Sequence, residues 1–412
     1  VNVEELVRDT LRELAAEEPA EGPRFADRVL TLRRRRRTRR LASVAATAAA
    51  VVAIAVGVPL LHHGKDDVRP AQVLNQGGVH AHPDQSPPRD LIGAGDTLLA
   101  AYYTAEPHPQ TKQRAVYERT YWLLDQKTGK YEKDTRWSFV AVAPGLRTAA
   151  VLERNLPAHR IGLLDLATGK VERWIPVGHG VGGLAFSADG TRLVATAYGE
   201  NPDLRVKEKL HGADGEDKWI WAARFGESSR SGFYVLDVVS GRRSWSPVAH
   251  GRDDNARQDF SFSRDGARVY TPFVGGKDGL QQFYDLKGNK VAAPAAEGYL
   301  RADVPARLSP NGRLAAWGLT KEVSGNPGKS YSSLRDPRTG KEITKVRGDS
   351  LLAWVDDKRL IAWERVTSLK EDYRPQLVLV TIGSDKVVPL SGAKDPNKYF
   401  DREEWQPLFV RR

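Results

Sequence analysis

The residues "GGLAFSADGTRLVATAY" (182 to 198) are nearly repeated as "QDFSFSRDGARVYTPF" from Gln258. Each is a short apolar run, a Ser-x-Asp-Gly turn and a second apolar run. Strand-length apolar segments around a Gly-bearing turn are hairpin chemistry, because Gly supplies the positive φ that a tight reversal needs. Drifted copies start at Ile92 ("IGAGDTLLAAYY"), Val140 ("VAVAPGLRTAAVL"), Ala306 ("ARLSPNGRLAAWGL") and Leu351 ("LLAWVDDKRLIAW"). A second unit interleaves with them: "YWLLDQKTGKYEK", "IGLLDLATGKVERW", "FYVLDVVSGRRSW", "QFYDLKGNKV", "SLRDPRTGKEI" and "LVLVTIGSDKVVPL". Its Asp and the Ser and Asp of the first unit can bond amides inside their own turns. These aspartates therefore need no active site to explain them.

Two hairpins per repeat make four strands, and the pair recurs at about 50 residues from 91 to about 390, a spacing typical of stacked β-sheet blades. The "SxDGxx" and "hhhDxxTGK" motifs resemble those of the TolB-like and WD-repeat-like β-propeller families. The resemblance implies an all-β chain with a six-bladed propeller over 91–412, or seven blades with the tail "YFDREEWQPLFVRR" helping to close the ring. It implies no particular activity, because such folds host binding modules, scaffolds and enzymes alike.

The motifs also separate two faces. The tight turns fall on one. The longer connections, including 199–231, 105–120 and 320–332, are expected as loops on the other, which makes that face the expected place for recognition. Its candidate residues are His179, His211, Trp219, Trp221, His250, Arg252 and Asp254. Histidines beside carboxylates could act in acid–base chemistry, yet their spacing matches no metal motif. No catalytic residue, metal or cofactor is assigned. There is no Gly-x-Ser-x-Gly elbow and no phosphate-cradling Gly loop. The chain has no Cys, which excludes disulfides, thiolate catalysis and Cys-ligated zinc.

Before the repeats, "RRRRRTRR" (33–40) meets the uncharged run "LASVAATAAAVVAIAVGVPLL" (41–61). Such a run at helical rise spans about 30 Å, the thickness of the hydrocarbon layer. The arginines predict a single-pass span with residues 1–40 in the cytoplasm and the propeller extracytoplasmic. A cleaved signal peptide ending near "AVG" and a buried core helix are the alternatives. The Pro-rich stretch ending in "HAHPDQSPPRD", within 62–90, reads as a stalk.

Within 1–40, Leu6, Val7, Leu11 and Leu14 fall at helical spacing in a segment too short to bury them itself, so they are expected to dock on a cytoplasmic partner or the membrane. A formal net charge of +11 favours anionic partners. The expected partners are membrane lipid through 41–61, an extracytoplasmic protein or polymer, and a cytoplasmic regulator; nucleic acid is not among them. The Ala- and Arg-rich composition without Met or Cys resembles high-GC actinobacterial proteins. The layout of "VEELVRDTLREL", a basic block, one span and an outer β-domain resembles membrane partners of extracytoplasmic-function sigma factors, although their His-x-x-x-Cys-x-x-Cys zinc motif cannot occur here. The expected function is a membrane-anchored propeller that binds an envelope ligand and relays to such a regulator. An exported propeller enzyme (hydrolase or lyase) and a structural envelope protein are the alternatives.

Overall fold

The computed structural model describes residues 77–211, 217–224, 226–251, 254–272, 280–395 and 404–412. Residues 1–40 with Leu6, Val7, Leu11 and Leu14, the run 41–61 expected as a span, and the first part of the 62–90 stretch lie outside the described residues. The described chain is all-β and contains no α-helix.

The strands follow one another as antiparallel meanders. Two short strands, β1 (Val79–His80) and β2 (Gly93–Ala94), pair with each other. Then β3 (Thr97–Pro109), β4 (Arg114–Asp125) and β5 (Lys130–Asp134) form the first meander. Next come β6 (Trp137–Val142), β7 (Thr148–Glu153) and β8 (Ala158–Asp165). The long β9 (Lys170–Phe186) serves two meanders, its first part pairing with β8 and its last part with β10 (Arg192–Tyr198). An inserted hairpin, β11 (Leu204–His211) and β12 (Asp217–Ala223), precedes β13 (Arg230–Asp237) and β14 (Arg243–Pro247).

Further on, β15 (Ser261–Phe262), β16 (Arg268–Pro272), β17 (Gln281–Asp285) and β18 (Lys290–Val291) make a four-stranded sheet. β19 (Ala315–Val323), β20 (Lys329–Arg335) and β21 (Glu342–Arg347) make a three-stranded one, and a bridge from Leu308 to Ala315 adds a fourth edge. β22 (Ser350–Trp354), β23 (Arg359–Arg365), β24 (Pro375–Thr381) and β25 (Val387–Ala393) complete the series. The final strand, β26 (Gln406–Arg411), returns to pair with β3. The C-terminal tail thereby supplies a strand to the first meander.

The core lies between consecutive meanders. Tyr103 and Tyr121 of the first pack with Trp137, Val140 and Ala149 of the second. Phe139, Leu152 and Leu163 pack with Leu184, Phe186 and Leu193, and Ala185, Val194 and Phe233 with Phe260, Phe262 and Val269. Leu98, Leu99, Tyr102 and Phe409 of the first meander meet Trp363, Leu377 and Leu379 of the last. Sheets that bury their faces against neighbours, with last joined to first, have the arrangement of a β-propeller. Burying each Leu or Phe contributes about 1.5–3 kcal/mol, so the seams hold the ring.

The repeat turns form as their sequence predicts. Ser187 Oγ donates to Asp189 Oδ1 at 2.6 Å, Thr191 N donates to the same oxygen at 3.0 Å, and Gly190 carries φ +70°. In the other unit Asp165 Oδ1 accepts from Ala167 N and Thr168 N, both at 2.8 Å. These carboxylates are spent on their own turns.

All three segments expected as loops carry strands instead, 199–231 holding the β11–β12 hairpin. Residues 105–120 lengthen β3 and β4 into a projecting hairpin, and 320–332 lengthen β19 and β20 in the same way. Residues 79–90, the end of the Pro-rich stretch, lie against the sheets. His82 N donates to Leu390 O, Gly392 N to Gln85 O, and Trp405 Nε1 to Ser86 Oγ.

Candidate functional site: the loop face

The inserted hairpin β11–β12 does not stay with its own meander. Leu204, Arg205 and Val206 pair with Val116, Ala115 and Arg114 of β4, so it joins the projecting end of the first meander and extends that sheet in the order β3-β4-β11-β12. Directly opposed residues of antiparallel strands share a face. Arg205, Lys207 and Lys209 of β11 therefore share one with Ala223, Trp221 and Trp219 of β12 and with Ala115, Tyr117 and Arg119 of β4.

Burial along this face is graded. Ala115, Tyr117, Arg119, Arg205 and Ala223 are buried, whereas Lys207 and Lys209 are exposed and Trp219 is 60% exposed. Lys207 Nζ lies 5.9 Å from the Trp219 ring centre and 5.8 Å from that of Trp221, within reach of a cation–π attraction. Among the described residues β12 pairs only with β11, so its other edge carries no further strand.

Beneath the buried end lies an ionic cluster. Asp203 sits between two guanidinium forks: Arg119 donates to it at 2.6 and 3.0 Å, Arg257 at 2.8 and 2.7 Å. Arg257 also bonds Asp259 and Gly182 O, both at 2.8 Å, and Tyr198 donates to Asp259 at 2.7 Å. Arg119 reaches Ser138 O at 3.1 Å, and both arginines lie over the Phe139 ring. The cluster thus ties the insertion to the first residues of β6, the last part of β9 and the segment leading into β15. Burial alone would raise the Asp203 carboxyl; the charges of Arg119 and Arg257 and their hydrogen bonds hold it well below the usual carboxylate range. A carboxylate held this way is ionised throughout the neutral range and acts as a clasp, not a proton donor.

Arg205 differs from its neighbours. It is 3% exposed, stacks 4.5 Å from the centre of the Tyr117 ring, and its one hydrogen bond among the described residues runs from Nη1 to its own neighbour Leu204 O. Burial lowers its guanidinium to about 10, Asp203 pulls it back up, and Arg119 and Arg257 push it further down. It is still a cation at neutral pH.

The residues singled out from sequence fall into separate groups. Trp219 and Trp221 share Lys207 on the hairpin, and His211 pairs with Asp217 at its tip. Asp254 forms an ion pair at 2.8 Å with buried Arg230 and accepts from Gly251 N; exposed His250 lies 3.4 Å from Gly251 O. His179 stacks on Trp245 at 4.1 Å, and its amide donates to Tyr234 Oη. No described contact joins His179 to His211 or His250. Arg252 lies outside the described residues. Among those described, no three His, Asp or Glu side chains converge as a metal-ligand set.

Asp203, Arg119, Arg205, Arg257 and Asp259 were not anticipated. One signal for them was present: in "YERTY" strand alternation sets Arg119 on the face of Tyr117 and Tyr121, which marks a charge placed among buried rings. A groove of about 460 Å³ on the turn side lies between β4–β5 and the β8–β9 turn. Its charges answer one another, since Arg136 bonds Asp134 at 2.7 Å and lies near Gly169 O.

No family model matches this sequence, and no curated protein matches it. Among solved structures it resembles hydrazine synthase from Kuenenia stuttgartiensis (14% identity, TM-score 0.33, 61% of this chain and 64% of that one). It also resembles TolB from Acinetobacter baumannii (16%, TM-score 0.32, 70% and 65%) and a chain of a mitotic checkpoint complex (14%, TM-score 0.37, 88% and 98%). The chain spans slightly less than two thirds of the hydrazine synthase and TolB chains.

Proposed function

We propose that this protein is a binding module: a six-bladed propeller, displayed outside the cell by the span 41–61, that takes a protein or envelope ligand on its loop face. The meanders supply the six blades, with β26 as an added strand of the first. The observation that carries the reading is the β11–β12 hairpin. It places Trp219, largely exposed, beside Lys207 and Trp221 at the edge of a sheet, while its base is clasped by Asp203. Exposed aromatics on a rigid support are the usual anchors of recognition surfaces. Relay to a cytoplasmic regulator through Leu6, Val7, Leu11 and Leu14 belongs to the same proposal.

Crosslinked co-purification of the full-length protein from its native membrane tests this. Partners identified by mass spectrometry are compared with those of a Trp219→Ala/Trp221→Ala variant and of a version lacking residues 2–32. Envelope partners lost only from the Trp variant support binding by the hairpin, and a cytoplasmic factor lost only from the truncation supports relay. The same partners in all three sinks both. Protease added to intact cells should cut the propeller and spare residues 1–40; a protected propeller overturns the topology.

A further inference from the structure

The cluster at the base of the hairpin is unbalanced in charge. Arg119, Asp203, Arg205, Arg257 and Asp259 are all more than nine-tenths buried, three cations with two anions. The anions are committed. Each Asp203 oxygen accepts from both Arg119 and Arg257, and Asp259 is held by Arg257 and Tyr198. No carboxylate among the described residues makes an ion pair with Arg205. A buried cation that no carboxylate contacts directly is costly, even with the Asp203 charge nearby, and a guanidinium offers a planar fork of donors shaped for an oxyanion.

The approach to it is also built. Residues two apart on a strand lie about 7 Å apart on one face, so Lys207 and Lys209 continue outward from Arg205 as a row of positive charge. Lys209 is paired with Asp217 at 2.5 Å, whereas Lys207 faces the two tryptophan rings and has no carboxylate partner among the described residues. Trp221 and Trp219 flank the row from β12.

We propose that Arg205 is the base of an oxyanion site on the loop face, taking a carboxylate or phosphate group of the ligand, with Lys207 at its entrance. The site would supply the missing negative charge to the cluster and fix the ligand's acidic end, leaving its body against Trp221 and Trp219. This rests on the loop-face binding reading and names the chemistry of its ligand.

The test uses the full-length protein and two small probes. Its unfolding midpoint is followed during titration with sodium phosphate and with sodium acetate, each against sodium chloride at matched ionic strength. A saturable rise is expected with at least one probe, because a ligand that binds only the folded state raises the midpoint by mass action. The responding probe tells a phosphoryl from a carboxylate group. Arg205→Gln should abolish the rise, and Lys207→Gln should raise the half-saturating concentration severalfold without abolishing it. A flat titration of the unaltered protein, or an equal rise in Arg205→Gln, overturns the site. If Arg205→Gln does not fold, exposed Lys207→Gln still decides, since an unchanged half-saturation contradicts the entrance and with it the site. Partner crosslinks through Trp219 with a flat titration would refute the oxyanion site and leave the binding reading standing. The converse would refute the reading alone.

Discussion

The turn face and the loop face both use aspartate, in opposite ways. On the turn face Asp165 and Asp189 bond amides and hydroxyls two or three residues away. On the loop face Asp203 bonds arginines 84 and 54 positions away, from different meanders. A local turn can form whatever the rest of the chain does, whereas the Asp203 clasp exists only once three parts of the chain have come together. The first builds a blade, and the second orients an insertion across blades.

That contrast can be broken first at Asp203. Asp203→Asn leaves Arg119 buried without its counter-charge and Arg257 with Asp259 alone, and losing one partner of such a buried pair costs about 3–5 kcal/mol. Urea unfolding at neutral pH should show a loss of that order; a loss below about 1 kcal/mol, the range of surface pairs, would make the clasp incidental. The same residue sets a pH signature. Its folded pKa is depressed, so its stabilisation is present above the ordinary value of 3.8 and is lost as pH falls below it. The unaltered protein should lose stability steeply below about pH 4, and Asp203→Asn should show a shallower decline over that interval. Equal slopes would assign the acid sensitivity to other carboxylates.

Smaller effects are expected on the turn face. Gly190→Ala places a Cβ at φ +70° and 3.3 Å from Pro144 Cδ, so about 1–2 kcal/mol should be lost in the same assay. Asp165→Ala removes the carboxylate oxygen that accepts from two amides of one turn, and about 1 kcal/mol is expected. A cost for Asp165 that matched that of Asp203 would erase the distinction between the faces. Smallest is Trp219→Ala, expected to change stability by less than about 0.5 kcal/mol because the ring is mostly in water. Its effect should appear in binding alone.

What was legible in the sequence follows the same division. The six hairpin pairs and their turn residues are written locally, in alternating apolar runs and in Gly and Asp at fixed offsets. The insertion was visible as length without repeat, but its pairing with Ala115 and Val116 was not, since nothing in "LRVKEKLH" names a partner strand. Residues 105–120 read as a loop because the projecting tip "EPHPQTKQR" (106–114) carries polar residues and prolines without alternation, although the strand that follows it does alternate. The site residues chosen from sequence were three histidines with Trp219, Trp221, Arg252 and Asp254, noticed for their chemistry and their place in the long connections. The arginines at the base of the hairpin were overlooked because a charged residue looks solvated until its distant partner is known. Alternation in "YERTY" was the single clue.

The most direct measurement places a photo-crosslinking amino acid at Trp219 on the loop face and, separately, at exposed Thr339 on the turn face of the full-length protein in its native cells. The account predicts a discrete crosslinked product from position 219 that is absent from position 339 and disappears when Asp203→Asn is introduced into a protein that still folds. Equal products from both positions, or a product from 339 alone, would contradict the assignment of binding to the loop face.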